Sequence, residues 1–218
     1  MSLLKSKDTP ENMLISYMIL RKLIGALGVL LPVILLLGCC IYCGECRKSS
    51  ISAYYNTSMR DIFVGTLSAI AVFLFCYKGY ESEDHIASSW AGASALGVAL
   101  FGTDPEGQVL SISGIIHYIS AISFFGSLAY FCLILFTKTS LTHKPTSMKL
   151  LRNKIFKTCG YIMVISMIFI LTYMLWLSKI LPNIAKYSPV FWLETIALWA
   201  FGVSWMAKGE IMFADKPA

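Results

Sequence analysis

Six apolar runs, almost free of charged residues, constrain this chain more than any other feature. They lie at about 23–43, 61–77, 86–102, 112–136, 156–179 and 189–207. About 20 apolar residues in a helix cross the hydrocarbon of a bilayer, and a helix satisfies its own backbone there. A soluble core of the same size would need many more charges around it. The chain has 57% hydrophobic and 14% charged residues, against about 45–50% and 25% in soluble domains. The runs lack the alternation of lipid-facing strands, which excludes a closed barrel. The expected fold is all-α: a polytopic membrane protein, a six-helix transmembrane bundle formed by residues 1–218 as one domain. The second and third runs are short, and would suit a thin or locally compressed bilayer.

Basic residues set the expected orientation. Lys5, Lys7, Arg21, Lys22, Lys78, Lys138, Lys144, Lys149, Arg152, Lys154, Lys157, Lys208 and Lys216 fall on one side of the alternating spans. Arg47, Lys48, Arg60, Lys179 and Lys186 fall on the other. The positive-inside rule then places both termini in the cytoplasm. Segment 137–155 holds five Lys/Arg and no acid, and would lie as a cytoplasmic loop against anionic lipid. A nucleic-acid partner is excluded, because the cations border spans and build no domain of their own. Membrane lipids are the expected partners, and an oligomer remains open.

Charge inside the spans is costly, so each polar group there carries information. His117, in "GIIHYISAISFF", is six residues into the fourth run. Glu194, in "SPVFWLETIALW", is five residues past Pro189. At 1.5 Å per residue both lie roughly 7–9 Å below the outer boundary. Asp61, beside Arg60, opens the second run from that boundary. Above them lies "SSISAYYNTSMRDIFVG", residues 49–65, whose Tyr54 and Tyr55 suit a membrane interface. These residues suggest a polar pocket at the non-cytoplasmic face, walled by Tyr54, Tyr55, Arg60, Asp61, His117 and Glu194. Glu194 needs a partner from another span, and Arg60 or His117 are the basic candidates. Arg60 could instead hold a lipid phosphate. Asp61, His117 and Glu194 could bind a divalent metal or share acid–base work. Equally, the polar groups could form a structural network between helices.

Other features read more simply. Cys39, Cys40, Cys43 and Cys46 crowd the end of the first run. Lipidation, a soft-metal site and a Cys43–Cys46 disulfide are conceivable there, but small apolar helix residues are the plainer reading. Ala87, Ala91, Ala95 and Ala99 form a small-residue ridge, which lets helices approach closely. No P-loop, dinucleotide fingerprint, zinc-protease motif or nucleophile elbow is present.

The segments "SISAYYNTSMRDIFVG", "FCYKGY", "IHYISAISFF" and "WLETIALWAFGVSWMAKGE" resemble bacterial six-span membrane proteins of unknown function near the DRAM/Frag/Sfk family. Eukaryotic members of that family are linked to autophagy and to lipid remodelling of glycosylphosphatidylinositol anchors. The resemblance implies a six-helix bundle in a bacterial inner membrane that works at its lumenal or periplasmic face, and it supplies no reaction, cofactor or catalytic residue. Three functions follow as expectations: binding or modifying a lipid headgroup at that face, transport of a small solute or ion, or a scaffold without chemistry.

Overall fold

The computed structural model describes residues 10–42, 44, 47–79, 81–105, 108–138 and 145–210, with side chains from Met18 onward. Six main helices follow one another: α1 (Pro10–Tyr42), α2 (Arg60–Cys76), α3 (Ser82–Leu100), α4 (Ile112–Tyr130), α5 (Ser147–Thr172) and α6 (Pro189–Lys208). No strand occurs among the described residues. Two helices extend past their regular part through single π-helical segments. Phe131–Leu135 prolongs α4, while Tyr173–Leu177 and then Ser178–Ile180 prolong α5. Four stretches are long and apolar enough to cross a membrane: Met18–Tyr42, Ile112–Leu135, Ser147–Ile180 and Pro189–Lys208. They are the helices of a membrane protein. The shorter α2 and the more polar α3 fall outside that group, although each coincides closely with an apolar run of the sequence.

Local chemistry explains where several helices start. Glu81 and Asp84 form a capping box at α3, with the Glu81 backbone N–H donating to Asp84 Oδ2 at 3.0 Å. The Ser111 hydroxyl accepts from Gly114 N at the head of α4, and Thr146 accepts from Lys149 N at α5, both at 3.1 Å. That second cap corrects the sequence reading. Residues 147–155 are the first turns of α5 and not part of a loop, and the Thr146 hydroxyl satisfies one of the orphan N–H groups at its start. Pro189 opens α6 from Ser188, whose φ of 50° is left-handed.

Neighbours in sequence are neighbours in space, and α6 returns to pack on α1, so the six helices close a ring. The α1–α6 seam is a close one. A Cβ on Gly25 would meet Gly202 O at 2.7 Å, and one on Gly202 would meet Gly25 O at 2.6 Å. Trp199 Nε1 donates to Val29 O at 3.1 Å along the same seam. On α3 the ridge residues Ala91, Ala95 and Ala99 are fully buried. A Cβ on Gly92 beside them would sit 3.1 Å from Ala71 O of α2, so this helix packs closely on its neighbour.

The two ends of the ring differ in character. The lower end, where α2 meets α3 and α4 meets α5, is closed by the buried rings of Tyr77, Phe131, Phe136, Phe156 and Trp205. Cations rest on this aromatic layer: Arg21 over Tyr77 at 5.5 Å and Lys208 over Phe136 at 5.1 Å. Lys138 bonds Glu81 and Glu83, whose hydrogen bonds raise the pKa of the lysine above its usual range. Arg152 is buried and lies 3.9 Å from Glu210. Lys149 donates to Phe136 O at 2.9 Å. These three basic residues of 137–155 are thus engaged within the protein. Lys5, Lys7, Lys144 and Lys216 lie outside the described residues.

Candidate functional site: a two-part cavity at the upper end

The upper end carries segments 47–59, 101–105, 108–111 and 181–188, and Glu194 organises it. Its carboxylate accepts the Ile51 backbone N–H at 2.5 Å. Ile51 precedes a 3-10 turn, Ser52–Asn56, so the carboxylate sits where unsatisfied N–H groups converge. The Phe191 N–H donates to Ser49 O at 3.0 Å. The buried Tyr54 ring packs on Phe191 with centroids 6.3 Å apart. The first turn and a half of α6 therefore fastens the serine- and tyrosine-rich segment across the top of the ring. The expected partner for Glu194 was a charged side chain. The partner found is a backbone amide, and no ion pair joins Glu194 to Arg60 or His117.

Beneath that segment is a cavity of about 360 Å³ between α4, α5 and α6. Its walls are apolar: Ile122 and Phe125 from α4, Met167, Ile170 and Leu171 from α5, and Val190 from α6. The π-helical segment of α5 contributes Tyr173, Met174 and Leu175. Such segments occur often at functional sites, because the extra residue re-aims side chains. One end of the cavity is polar, lined by Ser49, Ser50, Ser52, Thr103, His117, Tyr118 and Glu194. His117 is 0% exposed. Its Nδ1 lies 2.7 Å from Phe101 O. A carbonyl only accepts, so Nδ1 carries the proton, and in the neutral ring Nε2 is a bare acceptor. Nε2 is buried with no hydrogen-bond partner.

A second space of about 650 Å³ adjoins the first and shares Ser49, Ser50, Thr103 and Tyr118 with it. This vestibule is polar and carries Arg47, Lys48 and Lys186. Arg47 Nη2 donates to Lys186 O at 3.1 Å, and its guanidinium lies 6.0 Å from the Trp192 ring. Asp104 also lines it, with its carboxylate turned to the head of α4. Hydrogen bonds from the Ser111 side chain, then from the Ser111 backbone N–H at 2.9 Å, hold the Asp104 carboxyl below its usual pKa.

The six residues singled out by sequence thus separate into two groups. His117 and Glu194 share the cavity, while Tyr54, buried within the segment above, packs on Phe191 and lines neither space. Arg60, Asp61 and Tyr55 form a different cluster. The Arg60 guanidinium lies 4.6 Å over the Tyr55 ring and donates to its hydroxyl at 2.9 Å, while Asp61 is exposed at the head of α2. None of these three lines either space. Stacking a planar guanidinium on a neighbouring ring keeps its charge in water, whereas reaching Glu194 would bury it. Asp61 does not join His117 and Glu194 as a metal set, and no group of three metal-ligating side chains occurs among the described residues. Of the cysteines, Cys39 is buried and Cys40 half-buried, while Cys43 and Cys46 lie outside the described residues. Sequence reasoning missed Tyr118, Ser50 and Thr103, and it used Arg47, Lys48 and Lys186 only to set orientation. Their clustering depends on three loops meeting, which no local spacing records. Comparison with known proteins returns no match: no family model, no curated protein and no solved structure is similar to this chain at a significant level.

Proposed function

We propose that this chain is an integral membrane protein that binds a membrane lipid at the upper end of its helix ring, holding the headgroup region beside His117 and Glu194. In this reading all six helices cross the bilayer, both termini are cytoplasmic and the cavity faces the periplasmic side of a bacterial inner membrane. The uneven distribution of Lys and Arg supports that orientation.

The His117 imidazole carries the proposal. A buried polar atom left without a partner costs about 1–3 kcal/mol, and Nε2 is such an atom, in a residue that lines the cavity but whose ring is closed off from the open space. A hydroxyl or ammonium group on a bound molecule would satisfy it once the ring turns toward the cavity. The remainder of the cavity suits an acyl chain, being apolar and within the roughly 300–1,000 Å³ of ordinary ligand sites. The carboxylate and imidazole at one end are also the groups that an acid–base step on a headgroup would use.

Transport is less well supported. Below Glu194 the space narrows to about 30 Å³ ringed by Leu31, Phe63, Leu67, Phe124 and Leu198, and the aromatic layer closes the lower end. A pure scaffold leaves the His117 nitrogen unexplained.

Native mass spectrometry on protein purified in mild detergent tests the proposal. Wild type should retain a lipid, and Ala121→Trp or Ile122→Trp, each placing an indole in the cavity, should lose it while keeping helical content and elution volume. A wild type that retains no lipid, or equal occupancy in wild type and both folded variants, would overturn it.

A further inference from the structure

We infer that the cavity is entered sideways from the bilayer, through a slot between the upper halves of α4 and α5 that admits one hydrocarbon chain of a lipid still dissolved in the membrane. This rests on the lipid-binding proposal above, and adds how the ligand arrives and which part of it the cavity holds.

Burial along α5 marks the slot. In the lower part of the helix Phe156, Cys159, Gly160, Met163 and Ser166 are buried, at the three- and four-residue steps of one helix face. That face packs closely, since a Cβ on Gly160 would meet Leu133 Cγ of the α4 extension at 2.6 Å. Above Ser166 the pattern stops. No residue from Met167 to Tyr187 is buried, the π-helical Tyr173–Leu177 included. The side chains that continue the buried face, Met167, Ile170 and Met174, line the cavity instead. The upper half of α5 thus leaves the ring, and the cavity occupies the gap.

The gap reaches the outer surface of the ring. On α4, Ile115, Ile119, Ile122 and Gly126 are exposed at helical spacing and make one outward face. Ile122 of that face also lines the cavity. On α5, the exposed Leu171 and Leu175 continue the outward face of Ile168 and line the cavity too. The mouth therefore lies between Ile122 on one helix and Leu171 and Leu175 on the other. Both helices belong to stretches long and apolar enough to cross a membrane, and α5 carries no charged residue between Lys157 and Lys179. The medium at this mouth is hydrocarbon.

An apolar gap open to hydrocarbon fills with hydrocarbon. Water there would forgo its hydrogen bonds, whereas a lipid tail is as apolar as the leucines around it. A chain in the gap also restores the dispersion contacts that α5 gives up where it leaves the ring. The far end of the same cavity carries Ser49, Ser50, Ser52 and Glu194, so the polar part of the lipid follows its chain inward without crossing bulk water.

A phosphatidylcholine with a diazirine midway along one chain tests the slot, in nanodiscs that hold the full-length protein. Irradiation and peptide mass spectrometry should place adducts on the cavity residues Phe125, Met167 and Ile170, as well as on the outward residues Ile119 and Ile168. Adducts on the outward residues alone would overturn the inference. So would cavity adducts that form only with a short photoreactive alcohol added from water, which would put the entrance at the vestibule. Ala121→Trp should cut the cavity adducts about tenfold relative to the outward ones, a loss of about 1.4 kcal/mol in chain binding. An unchanged ratio in that folded variant also overturns the inference, and if it does not fold the wild-type comparison decides alone. Lipid retained in native mass spectrometry without cavity adducts from the bilayer defeats the slot and spares the lipid-binding proposal. Neither retained lipid nor cavity adducts defeats both.

Discussion

Glu194 shows how a single acidic side chain inside a membrane helix can be accommodated without a cation. Its carboxylate meets the Ile51 N–H and so holds the segment that roofs the cavity. Glu194→Ala should therefore destabilise the protein by about 1–3 kcal/mol, since it leaves a backbone donor unpaired. Glu194→Gln keeps a carbonyl acceptor in the same place and should cost clearly less. Thermal unfolding in one detergent would compare the two, and equal losses would show that charge and not the hydrogen bond matters. At this scale the sequence was informative about need and silent about means. It marked His117 and Glu194 as polar groups that require company at one depth, and the structure places both on one cavity. Their actual contacts, Phe101 O and Ile51 N, are backbone atoms. Every residue carries these atoms, so no side-chain pattern can reveal which are used. Arg60 looked available for the same reason, until the neighbouring Tyr55 ring is seen beneath it.

Helices were more legible than contacts, because apolar runs and caps are local. The ridge on α3 announced its burial through small residues at fourfold spacing. The start of α5 was hidden, since Lys149, Arg152 and Lys154 give its first turns the composition of a loop while Thr146 caps them. Glycine usage separates seams from lipid-facing surfaces in a way that can be measured. Gly25→Ala should cost about 1–3 kcal/mol, the usual penalty for forcing a methyl group into a packed contact, because the new Cβ would overlap Gly202 O. Gly126→Ala should instead stabilise by about 0.5–1 kcal/mol through helix entropy, since nothing lies within 4 Å of its added carbon. The same unfolding assay reads both, and a neutral Gly25→Ala would mean that the α1–α6 seam is looser than described.

At the scale of the whole molecule, the ring of six helices separates an aromatic, cation-studded lower end from an upper end with two open spaces. Placing the upper end outside the cytoplasm predicts a labelling pattern. In a background lacking native cysteines, Gln108→Cys should react with an impermeant thiol reagent in intact cells, and Ser147→Cys should react only after the membrane is opened. Both positions are exposed on the protein, so the reverse result would place the cavity in the cytoplasm. The meeting of the three upper loops was the least legible feature of all, since it follows from ring closure and not from any segment alone.

That closure has a consequence for how the protein is made. Ribosomes deliver α1 first and α6 long afterwards, yet these two pack closely along one seam. Until α6 docks, the Gly25 face lacks its neighbour, the Ile51 amide lacks its acceptor, and the roof of the cavity has nothing to fasten it. Five helices of the ring can therefore be synthesised before the cavity exists in any form. Docking of α6 both completes the wall and creates the cavity, so the site belongs only to the closed ring.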